Sequence, residues 1–196
     1  MITHEIFLLT GSAVIGYLVG SLPFAYAVSR AVGVNILDIG TGNPGAANVF
    51  RSINRGLGTL VFFTDISKGV IPIVVAILIG VPEELLGIAG TAAIVGHWRP
   101  ILPQLKGGAG LATSLGAIIA LTPIAGSIGL GFGLLALVFL KSSGHSAGVA
   151  LFVITIVGYL VFNEWIATSS AIGMGGLVMS RHLVILAKKK WTERVK

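Results

Sequence analysis

The sequence contains no cysteine, which excludes disulfides, thiol nucleophiles and zinc–thiolate centres. Charge is almost as scarce. Charged residues make up 10% of the 196 residues, against about 25% in a soluble domain, so there is too little polar surface to coat a water-soluble core. The four histidines and seven acidic residues form no cluster with metal-ligand spacing, so neither a metal nor another cofactor is expected. The amino terminus, MITHEIF, lacks a basic segment ahead of its apolar run, and no small-x-small cleavage site follows it. The first run is therefore expected to stay as a helix. No internal repeat is visible.

What the chain does contain is apolar. Hydrophobic residues reach 55% and the mean hydropathy is +0.98, so the expected solvent is lipid. Apolar runs fall at about residues 6–29, 57–80, 85–98, 110–122, 124–140, 147–162 and 165–180. A perpendicular helix needs about 20 residues to cross the hydrocarbon; several of these runs, the third and fourth among them, are shorter. The expected architecture is an all-α integral membrane protein: one domain over residues 1–196, seven transmembrane helices, the N-terminus outside and the C-terminus cytoplasmic. Charge supports this count. Arg30, Arg51, Arg55, Arg99, Lys106, Lys141, Arg181, Lys188, Lys189, Lys190, Arg194 and Lys196 all fall on the predicted inner side. Glu5, Glu83, Glu84 and Glu164 fall outside, where no lysine or arginine occurs. Basic residues accumulate on the cytoplasmic side of membrane proteins, and moving the parity by one helix would destroy the pattern. The net charge of +6 thus reflects topology first and attraction to anionic inner-leaflet lipid second. Nothing in the sequence calls for nucleic acid, and a monomer is expected.

Two polar loops stand out on that inner side. Residues 40–51 read GTGNPGAANVFR. Their glycines and proline forbid a regular helix at Gly40–Gly45 and are expected to leave backbone amides free, with Thr41, Asn43, Asn48 and Arg51 adding side-chain donors. Such nests bind anions, phosphate above all, although glycine and asparagine also make ordinary turns. The second loop follows His97 and Arg99 and carries Lys106-Gly107-Gly108. It is expected to offer a point charge and close backbone approach to an anion at the start of the next helix, and it does not match the nucleotide-binding P-loop. Asp65 and Lys68 lie within the second apolar run, three residues apart and so on one helix face. They read as a mutually neutralising structural pair. Tyr17, Tyr26, Trp98, Trp165 and Trp191 read as packing or interfacial aromatics, and the KKKWTERVK tail as a headgroup anchor.

The order of motifs resembles the bacterial acyl-phosphate:glycerol-3-phosphate acyltransferase family. Gly20-Ser21-Leu22-Pro23, the Gly40–Arg51 loop, Asp65 with Lys68-Gly69, Gly96-His97 with Pro100, and Lys106-Gly107-Gly108 through Thr113 follow in the family's order. The resemblance implies acyl transfer from acyl phosphate to the 1-hydroxyl of glycerol 3-phosphate, making lysophosphatidate in phospholipid biosynthesis at the bacterial inner membrane. On this reading Ser21, Gly40, Thr41, Gly42, Asn43, Gly45, Asn48, Arg51, Lys106, Gly107, Gly108 and Arg181 bind substrate. His97 or His182 relays a proton, unless substrate phosphate is itself the base, and Thr41 assists. None of the histidines opens a His-x4-Asp pair of the kind soluble glycerolipid acyltransferases use. The chain departs from the family at Thr41 for serine, Ala47 for threonine, Ala109 for lysine, and Leu183 and Val184 beside the Arg181-His182 pair. Two other readings stay open: a divergent paralogue with reduced activity or another anionic acceptor, and a non-catalytic carrier of a phosphorylated lipid precursor.

Overall fold

The computed structural model describes the backbone of residues 2–102 and 104–195, and the side chains of residues 3–102 and 104–184. Helices α1 (Ile2–Gly20) and α2 (Phe24–Ala31) arise from the single apolar run at 6–29. The run does not make one helix, because Pro23 has no N–H and its ring opposes the preceding turn; Pro23 itself sits at a non-helical ψ of 59°. An irregular segment leads to α3 (Ala46–Ser52). Helix α4 (Arg55–Leu78) starts where the Asn54 side chain accepts from the amides of Gly56 and Leu57 at 2.8 and 3.2 Å, satisfying two orphan donors of its first turn. A 3₁₀ turn at Glu83–Leu85 enters α5 (Leu86–Trp98). Then come α6 (Leu111–Leu121), α7 (Pro123–Leu140) with proline in its first turn, and α8 (Ser143–Ile156), which continues as a π-helical turn at Val157–Val161. The last helix, α9 (Trp165–Val195), runs well beyond the expected end near residue 180. The side chains of the basic tail read as an anchor (Lys188, Lys189, Lys190, Arg194, Lys196) and of Trp191 lie outside the described residues. No strand occurs among the described residues.

Four stretches are long and apolar enough to cross a membrane: Thr3–Ala31, Arg55–Leu78, Pro123–Leu140 and Ser143–Val161. Helices α5 and α6, with 13 and 11 residues, rise only about 20 and 16 Å at 1.5 Å per residue, short of the roughly 30 Å hydrocarbon core. Leu78, Phe139 and Leu160 are more than 70% exposed, an outward apolar surface that suits lipid. Inside, Ile73, Ile94, Ile154, Met174 and Val178 form the main core, and a second cluster of Ile36, Val49 and Val61 fastens the segment before α4 to that helix.

Lipid tails are as apolar as leucine, so helices in a bilayer associate through close packing rather than water exclusion. Glycine provides it here. A Cβ on Gly16 or Gly20 of α1 would overlap the carbonyl oxygens of Ala89 or Ala93 in α5, and one on Gly96 of α5 would overlap that of Tyr17. The α4–α6 crossing is built the same way: Gly69 lies against the Thr113 carbonyl and Gly116 against that of Ile66. These two crossings bring the end of α1, the middle of α4, the end of α5 and the start of α6 to one place.

Candidate active site

At that place lies a buried polar cluster. The Lys68 ammonium contacts the Asp65 carboxylate at 2.8 Å, donates to the Leu22 carbonyl at 2.7 Å and lies 3.3 Å from His97 Nδ1. Leu22 is available because Pro23 broke the helix there. The Asp65–Lys68 contact is an ion pair whose angles fall outside those of a hydrogen bond, since Asp65 Oδ1 has no hydrogen-bond partner. Thr113 Oγ1 also lies 3.3 Å from His97 Nδ1, and the Asp65 carboxylate is 3.9 Å from it. The Phe24 ring covers the ammonium at 5.4 Å. Asp65, Lys68, His97 and Thr113 are all buried. From spacing alone the pair reads first as structural, with fixing the inner end of its helix against the glycine loop as the functional alternative. The structure adds a third member, His97, and makes the pair line a cleft.

That narrow cleft, about 20 Å³, is bounded by Ser21, Pro23, Pro44, Asp65, Lys68, His97 and the backbone of Lys106–Gly108. Of the residues singled out from the sequence, it gathers Ser21, His97, Lys106, Gly107 and Gly108. The Lys106–Gly110 loop is held down by neighbours: Tyr26 Oη accepts from the Lys106 amide at 3.0 Å, and the Trp98 indole donates to the Ala109 carbonyl at 2.9 Å. Tyr26 and Trp98 thus shape the site, beyond the interfacial role expected of them. Gly108 is needed because a Cβ there would stand 2.5 Å from His97 Nε2 and 2.8 Å from the Pro44 carbonyl. Gly110 adopts φ +86° as it opens α6, a left-handed conformation that glycine takes at no steric cost.

The Gly40–Arg51 loop departs from its expected form. Four of its amides are spent within the loop itself. Thr41 donates to Asn48 Oδ1 at 3.0 Å, Gly42 to the Ile39 carbonyl at 3.0 Å, Asn43 to Thr41 Oγ1 at 3.4 Å and Gly45 to the Asn43 carbonyl at 2.9 Å. Asn48, buried, is the keystone: its amide nitrogen donates to the carbonyls of Ile36 and Ile39, and its oxygen also accepts from Ser52. Gly40 and Gly42 hold φ of +57° and +64°, so glycine serves the turn. Arg51 is exposed and uses only Nε internally, donating to the Ala47 carbonyl at 3.1 Å.

Arg181 stacks on the Trp98 ring at 4.5 Å, and its Nη1 has no partner among the described residues. This sets a guanidinium one indole away from the Lys106–Gly110 loop. His182 instead packs against Gly144 in the first turn of α8, where a Cβ would come 2.6 Å from its Nε2; it is not among the groups around the cleft. Among the described residues no group of three histidine or acidic side chains is placed to hold a metal ion. A second, apolar cleft of about 130 Å³ opens beside α6, between Leu111, Leu115, Leu134, Ala150 and Val178.

A sequence model of a family described as glycerol-3-phosphate acyltransferase matches residues 10–195. A curated relative of that name from Rubrobacter xylanophilus is 37% identical over 76% of this chain and 72% of its own length. Three more, 39–40% identical, are matched over 58–61% of theirs. Two solved structures share the fold. Both are of PlsY (YgiH), an integral membrane glycerol 3-phosphate acyltransferase. Its glycerol 3-phosphate form is 29% identical with a TM-score of 0.76, and its lysophosphatidic acid form 28% identical with a TM-score of 0.79; each alignment covers 96% of this chain and 92% of the other.

Proposed function

We infer the reaction from this premise: the chain belongs to the glycerol-3-phosphate acyltransferase family. We propose that the 1-hydroxyl of glycerol 3-phosphate attacks the carbonyl carbon of an acyl phosphate. An ester C–O bond forms, the bond from the acyl carbon to the phosphate oxygen breaks, and the hydroxyl proton ends on the released phosphate. The products are lysophosphatidate and inorganic phosphate. The observation that supports this most is the cleft where Ser21, Pro44, His97 and Lys106–Gly108 meet beside a buried ion pair. Phosphate is a good leaving group, so such a reaction needs positioning and cations more than covalent help. Lys106 serves one phosphate and Arg51 the other. Donor chains lie along the apolar cleft beside α6. At about 20 Å³ the polar cleft admits little more than a water, so glycerol 3-phosphate binds across its mouth with its phosphate on Lys106. The protein works as a monomer of one domain in the bacterial inner membrane.

The test is purified protein in liposomes with acyl phosphate and glycerol 3-phosphate. Release of inorganic phosphate with lysophosphatidate supports the proposal, whereas binding without turnover means a carrier. Ala109, Leu183 and Val184, where relatives of the resembling family carry polar groups, favour one second reading, a different anionic acceptor. Turnover with another acceptor alone would select it.

Arg51→Ala should weaken glycerol 3-phosphate or acyl phosphate binding by about tenfold or more, the loss expected for one charged hydrogen bond. Arg55→Ala should do less, because Arg55 opens α4 instead of closing the loop. Equal affinities of wild type and Arg51→Ala would remove Arg51 from the site.

Topology is tested by single cysteines in this cysteine-free chain. Seven spans with the N-terminus outside put Ser52 and Ser142 in the cytoplasm and Glu83 outside, following the charge asymmetry. Cysteines at 52 and 142 should resist an impermeant thiol reagent in intact cells, and one at 83 should react. External labelling at 52 would overturn the topology.

A further inference from the structure

The geometry points to Lys68 as a positioning residue that fixes His97 as a hydrogen-bond donor through Nε2, so that the imidazole holds a substrate oxygen and does not take the hydroxyl proton. This deepens the acyl-transfer reading and, in its activity arm, rests on it. Paired with the Asp65 carboxylate at 2.8 Å, the lysine is an ammonium: three N–H donors and no acceptor. One of its donors goes to the Leu22 carbonyl at 2.7 Å, while the Asp65 carboxylate stands beside it as counterion. Another faces His97 Nδ1 at 3.3 Å. A donor meeting a ring nitrogen requires that nitrogen to carry the lone pair. In the neutral ring the proton then sits on Nε2, because the bond made by one nitrogen sets the state of the other. Thr113 Oγ1, also 3.3 Å from Nδ1, is a hydroxyl and adapts by donating.

The far side of the ring agrees. His97 Nε2 lies against Gly108, where a Cβ would stand only 2.5 Å from it. The proton-bearing nitrogen is therefore the one beside the loop that carries Lys106, and His97 and that loop line the cleft together. A ring whose Nδ1 lone pair is held by an ammonium and whose Nε2 already bears a proton has no free lone pair to offer an alcohol. It can offer a hydrogen bond to a phosphate or carbonyl oxygen.

Two measurements test this. The first needs no substrate: nitrogen-15 spectra of histidine-labelled protein in bilayers, with His97 assigned by its loss in His97→Asn. Nδ1 should resonate as an unprotonated nitrogen and Nε2 as a protonated one. Thr113→Val should keep that pattern. The charge-neutral double variant Asp65→Asn/Lys68→Met should add a species with the proton on Nδ1. A proton on Nδ1 in the wild type overturns the proposal, and so does a tautomer that ignores loss of Lys68 but follows loss of Thr113. If the double variant does not fold, the wild-type spectrum alone decides. The second measurement is kinetic. His97→Gln places an amide N–H near Nε2 and should keep kcat within about tenfold of wild type. His97→Asn, whose amide reaches only the Nδ1 position, should lose about a hundredfold or more. Equal loss in both variants means a general base and overturns the donor role. No turnover by wild type would sink the acyl-transfer reading while leaving the spectra to judge the tautomer.

Discussion

Gly116→Val should leave almost no folded, active protein. A Cβ at Gly116 would overlap the carbonyl oxygen of Ile66, and the matching Cβ at Gly69 would overlap that of Thr113 and the Ala117 amide. The obstruction is backbone on both sides, so no side chain can rotate away and α4 and α6 must move apart. Overpacking in a tight core costs about 1–3 kcal/mol where side chains give way; with backbone against backbone we expect the upper end or beyond. Separation also dismantles the site, because Asp65 and Lys68 lie on α4 beside this crossing and Thr113 on α6. Activity should fall more than a hundredfold even in whatever fraction folds. The measurement is the yield of monodisperse protein after detergent extraction, its thermal midpoint, and turnover per folded molecule. Gly173→Ala is the control. Nothing lies within 4 Å of the Cβ it adds, and alanine is the better helix former by about 1 kcal/mol. A Gly116→Val protein melting with wild type would show that α4 and α6 are not held at this distance.

Small residues inside apolar runs suit close helix packing in general, but which glycine touches which backbone is not legible in one dimension. The apolar runs located α1 and α4 through α9 because burial in lipid imposes a composition that is visible without partners. Pro23 carried the information that splits α1 from α2, yet a long apolar run outweighed one proline when read in one dimension. Asn48 is a harder case. A donor aimed at phosphate and one aimed at Ile36 and Ile39 carbonyls are the same residue type in the same string. Only the chain path through residues 36–41 reveals that the side chain is consumed. The amides of Thr41, Gly42 and Gly45 follow the same logic: flexibility promised free donors, and local closure took them. Asp65 and Lys68 were visible as a pair through their three-residue spacing. Their link to His97 was not, because it crosses 29 positions and depends on the α1–α5 glycine contacts bringing Leu22 alongside. Sequence spacing reaches along a helix, and the site is assembled across four of them.

Asp65→Ala should be the most damaging change to a single charge. It would leave the Lys68 ammonium, 4% exposed at its side chain, with one carbonyl and one imidazole nitrogen as partners and no counterion. Removing one partner of a buried ion pair costs about 3–5 kcal/mol, because the remaining charge stays desolvated, and hydrocarbon around the bundle offers no water to relieve it. That is a large part of a stability margin that is commonly about 5–15 kcal/mol in folded proteins. We expect Asp65→Ala to lower the thermal midpoint in detergent sharply and to lose acyl transfer. Removing both charges has a different expected outcome. Asp65→Leu/Lys68→Met exchanges the pair for apolar groups of similar bulk, which is often neutral or stabilising where the single deletion is not. The double variant should therefore recover much of the thermal midpoint lost by Asp65→Ala while remaining inactive, since His97 has lost the donor that orients it. Comparing the two midpoints separates stability from chemistry. If Asp65→Ala melts with wild type, Lys68 is not the desolvated ion described here. If the double variant regains activity together with its fold, the pair holds the helices and has no part in setting the histidine.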